Sequence, residues 1–88
     1  MNNQYFGPYR GQVTNNVDPD GLMRIKARVP DVLGELETNW ALPCVPPGFG
    51  SVPDVGTSVW IEFEAGDPTY PIWMGTFGSP DSSRDGEK

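Results

Sequence analysis

Apolar and polar residues alternate strictly over residues 58–64. Val59, Ile61 and Phe63 share one face, and Ser58, Trp60, Glu62 and Glu64 share the other. A period of two predicts a half-buried strand and argues against a helix. Ala65-Gly66-Asp67-Pro68 then supplies turn chemistry: Gly66 is free to take positive φ, and Pro68 has no N–H for a ladder. Residues 70–77, rich in aromatic and β-branched side chains, predict the returning strand, with Gly75 marking a bulge or a close backbone approach. A two-stranded ribbon is not stable alone in water, so the remaining chain has to cover its apolar side.

The same alternation recurs upstream. In residues 9–17, Tyr9, Gly11 and Val13 lie on one face and Arg10, Gln12 and Thr14 on the other. Residues 15–21 are a dense run of turn formers containing Asp-Pro and Asp-Gly. Residues 22–29 predict a second strand, with Met23, Ile25, Ala27 and Val29 inward and Arg24, Lys26 and Arg28 outward, and Pro30 ends it. Residues 39–43 read as a third strand with Trp40 and Leu42 on one face. Between these two strands, residues 31–38 are helix-compatible, but Gly34 and the short length predict one helical turn rather than a true helix. Ten prolines and eleven glycines leave little room for helix elsewhere. The fold class expected is all-β: a small five-stranded antiparallel barrel over residues 9–78, OB-like in its strand count and covering excursion. Residues 1–8, with Tyr5 and Phe6, are expected to form a flexible polar arm that packs late or on a partner, and residues 79–88, without an apolar anchor, a C-terminal tail expected to be disordered. Leu36 is expected to plug an end of the barrel and Cys44 to fill space in it.

Size and charge narrow the function. A domain of this size buries only about 60% of its unfolded surface and is marginal alone. One cysteine allows no internal bridge, and without histidine a zinc site lacks its usual ligands, so association is the expected source of stability. No cofactor is expected. Twelve acids against six bases give a net charge of −6, which disfavours general nucleic-acid binding. No run reaches the roughly 18 apolar residues of a membrane span, and the N-terminus has no signal-peptide core, so no membrane insertion and a cytoplasmic site of synthesis are expected.

Few side chains offer chemistry. The basic row Arg24, Lys26, Arg28 is either the solvated face of a strand, pairing across the sheet with Glu62 and Glu64, or a contact for a partner. No aromatic residue interleaves it in sequence as base stacking requires. Glu62 and Glu64, two residues apart on one strand face, have a spacing compatible with a glycosidase pair. An outward solvated pair is the reading preferred here, and no enzyme activity is expected. Phe49, at the centre of the Pro/Gly-rich loop 45–55, is either a contact aromatic or a ring tucked onto the barrel. Trp60, opposite the inward face, is either a subunit contact or a lid on the outer surface. Tyr70 and Trp73 are further interface candidates, and for each of these aromatics a core position is the alternative reading.

An ordered series of motifs carries a resemblance. Tyr9-Arg10-Gly11-Gln12-Val13 is followed by Asp18-Pro19-Asp20-Gly21 and Arg24-Ile25-Lys26-Ala27-Arg28-Val29-Pro30. Trp40-Ala41-Leu42-Pro43 comes next, then Pro53-Asp54-Val55-Gly56-Thr57-Ser58-Val59-Trp60-Ile61-Glu62-Phe63, Gly66-Asp67-Pro68, and Pro71-Ile72-Trp73-Met74-Gly75-Thr76-Phe77. Together they resemble the OB-fold domain of phage baseplate spike and hub proteins, the family of baseplate assembly protein V and the VgrG-type spikes. One departure is Met23, where the family usually has a glycine before the arginine. Another is that many family members continue into a β-helical needle and some carry a lysozyme domain, neither of which is expected from residues 79–88. The resemblance implies a structural role in a virion tail baseplate or an injection-machine spike. It implies a homotrimer, with a tail-tube-like hub protein on one side and a spike or tip protein on the other. The alternative from a different class is a single-stranded nucleic-acid-binding OB module.

Overall fold

The computed structural model describes residues 4–46 and 48–77. The expected tail at 79–88 lies outside them, as does residue 78. Five strands form one sheet: β1 (Tyr9–Asn15), β2 (Lys26–Arg28), β3 (Leu42–Pro43), β4 (Ser58–Phe63) and β5 (Pro71–Thr76). A single helical turn, α1 (Pro30–Leu33), follows β2. The strand order is β2-β1-β4-β5-β3. The β1–β2, β1–β4 and β4–β5 ladders are antiparallel, whereas β3 runs parallel to β5, so the sheet is mixed rather than wholly antiparallel.

The sheet curls until its two edge strands meet. Ile25 pairs with Ala41 and Arg28 with Glu37 in isolated bridges. Ile25 and Ala41 exchange hydrogen bonds of 3.2 and 2.6 Å, and Thr38 N donates to Ala27 O at 2.7 Å. The buried Thr38 hydroxyl accepts from Ala27 N and donates to Asn39 O, so the polar group at this seam is satisfied. These contacts turn an open sheet into an OB-like barrel.

The period-two readings of β4 and β2 hold. Val59, Ile61 and Phe63 are buried, as are Ile25, Ala27 and Val29, and with Val13, Ala41 and Trp73 they form the core. Each fully buried Val, Ile or Phe side chain contributes about 1.5–3 kcal/mol relative to exposure. Opposite β4, the register shifts between Val59↔Thr76 and Ile61↔Trp73, which places a bulge at Met74-Gly75. Gly75 has φ 132°, a conformation that side chains rarely adopt. The β4–β5 connection is a 3₁₀ turn at Glu64–Gly66 in which Ala65 and Gly66 both have positive φ. The N-terminal segment crosses here. Tyr5 N donates to Gly66 O at 2.9 Å, and a Cβ on Gly66 would come within 2.9 Å of Phe6. Tyr5 also meets Tyr9 and Phe63 edge-on.

Several local expectations fail for identifiable reasons. Leu36 is 69% exposed and plugs nothing, because the turn after α1 carries it away from the core. Cys44 is exposed rather than a filler, since the alternation after Ala41 puts it outside. The second strand is shorter than its pattern. The Asp18 carboxylate takes hydrogen bonds from Leu22 N and Arg24 N, removing those donors from any ladder.

Candidate functional site

The basic row does not act as a unit. Arg24 is held at a corner by Asp18, whose side chain is 4% exposed. Arg24 Nε and Nη2 donate to the two Asp18 carboxylate oxygens, both at 2.8 Å, and Nη2 also reaches Asp20 at 3.0 Å. Such a fork-on-fork pair is stronger than a single neutral hydrogen bond. The Arg24 hydrogen bonds, joined by backbone donors from Asp20, Arg24 and Leu22, hold the Asp18 carboxyl far below the usual carboxylate range against the opposing effect of burial. The same contact raises Arg24 above its ordinary value. Lys26 lies 3.9 Å from Glu37, which also accepts from the Thr14 hydroxyl at 2.6 Å. The partners expected across the sheet, Glu62 and Glu64, are not used, because β2 neighbours β1 and not β4.

An aromatic does stand beside this row after all. Trp40 lies under Arg24 and Lys26 at 5.7 and 5.1 Å, brought there by the Ile25↔Ala41 bridge from a distant part of the chain. Arg28 differs from both. Among the described residues no carboxylate lies within ion-pairing distance of it.

The aromatic candidates divide similarly. Trp73 is 0% exposed, and its indole N–H donates to Met23 O at 2.9 Å, so it belongs to the core of this chain. Phe49 combines the two readings offered for it. It meets Trp73 edge-on at 6.0 Å and remains 43% exposed. Tyr70 is 58% exposed. Trp60 is half-buried on the outer face of β4, stacked against Phe77 at 4.5 Å with Arg10 over both rings. Phe77 and Arg10 were not singled out from the sequence. Their signal was Arg10 on the outward side of β1, in register with Trp60.

The outer wall of β3, β4 and β5 is apolar for much of its width. Leu42 pairs with Ile72, and with exposed Met74 and the Trp60–Phe77 pair these side chains form a band interrupted by Glu62. Glu62 leaves β4 on this face, whereas Glu64 belongs to the following 3₁₀ turn, so the two carboxylates do not project in parallel from one strand. Among the described residues no three His, Cys, Asp or Glu side chains gather as a metal site, and no helix is long and apolar enough to cross a membrane.

Residues 9–77 match the family of the type VI secretion system/phage-baseplate injector OB domain. The chain belongs to that family. A search of curated proteins finds no match. Membership fits the geometry of this injector OB domain: a side-chain-filled barrel whose accessible features lie on its outside. Met23 lies within the matched residues. Met23 takes φ 61°, the left-handed conformation glycine would take freely. The strained residue is held on both sides, by Arg24 N on Asp18 and by the Trp73 indole on the Met23 carbonyl.

Proposed function

We propose that this injector OB domain is a structural part of a contractile tail or injection machine, a trimeric adaptor joining the tail-tube-like hub to the central spike. The observation that carries this reading is the apolar band of the outer wall. Leu42 is 50% exposed and Met74 is 40% exposed beside the Trp60–Phe77 stack. A small barrel without a disulfide gains stability by covering such a surface, and aromatic anchors in a dry centre with a polar rim are the usual chemistry of doing so. Phe49 and Tyr70 extend the candidate contact surface, whereas Trp73 supports it only from within. The virion baseplate or the machine's spike is the corresponding location.

The competing nucleic-acid reading is weakened at the residues it needs most. Arg24 is paired with Asp18 and Asp20 and Lys26 with Glu37, so two of the three cations in the row are already answered. Sedimentation of the purified chain, alone and with a tail-tube-like hub protein from the same source, tests the proposal. The expected result is a trimer or co-sedimentation with the hub ring, lost on Met74→Asp. A wild-type chain that stays monomeric and ignores the hub overturns it.

A further inference from the structure

The charges of Arg10 and Arg28 are left without an ion pair by the fold. Among the described residues neither has a carboxylate within ion-pairing distance, although the chain has twice as many acids as bases. Both line one open groove of about 370 Å³, together with Gln12, Ser58 and Phe77. Gln12 is in register with Arg28 on one side and Ser58 on the other. Arg10, two residues back along β1, therefore stands diagonal to Arg28, about 7–8 Å away by strand geometry. The guanidinium of Arg10 lies 5.8 Å from the Trp60 ring centroid and 5.6 Å from that of Phe77. Rings beneath it restrict its motion, so a ligand that pairs with it has less side-chain freedom to remove.

We propose that this groove docks an acidic, extended segment of a partner protein, with carboxylates meeting Arg10 and Arg28 and an apolar side chain resting against the Phe77 edge of the wall. The proposal rests on the reading of the barrel as an assembly part and names the chemistry of one partner. Charge complementarity selects the occupant, because two unanswered cations share one groove on a chain of net charge −6. A nucleic-acid strand offers negative charge too, but fits less well. The remaining acidic surface repels its backbone, and Trp60 and Phe77 already use ring faces on each other and on Arg10 rather than offering them to bases.

The test is fluorescence anisotropy on the full chain, with a labelled peptide of alternating Glu and Val, a Lys-Val counterpart and an oligothymidylate. Salt-sensitive binding of the acidic peptide alone is expected. It should weaken about tenfold in the double variant Arg10→Gln/Arg28→Gln and be largely kept in Arg10→Lys/Arg28→Lys. Circular dichroism and the sedimenting mass of each variant are recorded alongside, so loss of binding in a folded chain of unchanged mass supports the docking role. Equal binding by wild type and the Gln pair, or tighter binding of oligothymidylate than of peptide, overturns it. A wild-type chain that ignores the peptide yet sediments as a trimer removes this inference and leaves the assembly reading standing.

Discussion

Arg24 and Arg28 leave the same strand pattern on the same outward side, yet the molecule uses them in opposite ways. Arg24 is locked into a corner by a carboxylate that also collects backbone donors from Asp20, Leu22 and Arg24 itself. Arg28 lines an open groove and forms no ion pair among the described residues, its bridge neighbour Glu37 being turned to Lys26 and Thr14. The difference shows that a row of like charges on a strand is not one feature. Position relative to a turn decides whether a cation is spent on the fold or left for something outside it. If so, neutralising the corner should cost stability, and neutralising the groove's two cations should cost only binding.

The largest effect is expected where the corner meets the core. Trp73→Ala removes a wholly buried ring and the donor to Met23 O, and should cost about 3–5 kcal/mol. For a domain of marginal stability that leaves much of the chain unfolded, which urea titration followed by circular dichroism would reveal. Trp73→Phe sharpens the point. It keeps most of the apolar volume and removes the N–H, so its smaller loss isolates the tie that holds the left-handed Met23.

Asp18→Asn comes next. It should lower Tm by several degrees at neutral pH, because the fork of Arg24 then faces an amide in place of a carboxylate. The folded-state pKa of Asp18 is depressed, so its stabilisation is fully present above the ordinary carboxylate value of about 3.9 and is lost as pH falls below it. The Tm difference between wild type and Asp18→Asn should therefore be constant from pH 5 to 8 and narrow under acid. A difference that stays unchanged down to pH 2 would show that the charge is not what holds the corner.

A smaller change tests the wall behind the groove. A Cβ on Gly11 would stand 3.1 Å from Ile61, 3.2 Å from the Arg28 carbonyl and 3.3 Å from Val29. The carbonyl belongs to the neighbouring strand and cannot swing aside, so Gly11→Ala should cost about 1–3 kcal/mol by overpacking. The urea midpoint should fall with the slope unchanged. No loss at all would mean that β1 and β2 have slack, and the groove could not then be counted as a rigid receptor.

The sequence displays these two regions unequally. Inward positions of β2 and β4 are legible because a strand's period of two is local, and the bulge at Gly75 is legible because a glycine interrupts a branched and aromatic run. What pairs with what is not local. Glu62 and Glu64 looked like partners for the basic row only because strand order was unknown, and once β1 stands between β2 and β4 they are out of reach. Trp40 was missed beside Arg24 and Lys26 for the same reason, since the seam that unites them joins edges far apart in sequence. Trp60 and Trp73 looked alike as candidates, but the register puts Trp73 opposite buried Ile61 and leaves Trp60 facing out. The Asp18 corner had a visible sign in Asp-Pro-Asp-Gly followed closely by arginine, although the pattern does not reveal how many donors converge on one carboxylate.

The smallest expected effect separates the two arginines most directly. Arg28→Gln should change stability by less than about 0.5 kcal/mol, as exposed substitutions away from special features do, whereas Arg24→Gln should cost clearly more. Arg28 still contributes a general attraction, because removing one cation takes an already acidic chain further from neutrality. That contribution is long-range and screened, so any deficit of Arg28→Gln should vanish in molar salt, where the Debye length is about 3 Å. The Arg24 deficit should persist there, because its contacts are short and its partner is largely shielded from solvent. Paired Tm measurements in low and high salt decide the matter. If both variants lose the same stability and both losses survive salt, Arg28 has a structural partner, and the groove is part of the fold rather than a place for another protein to bind.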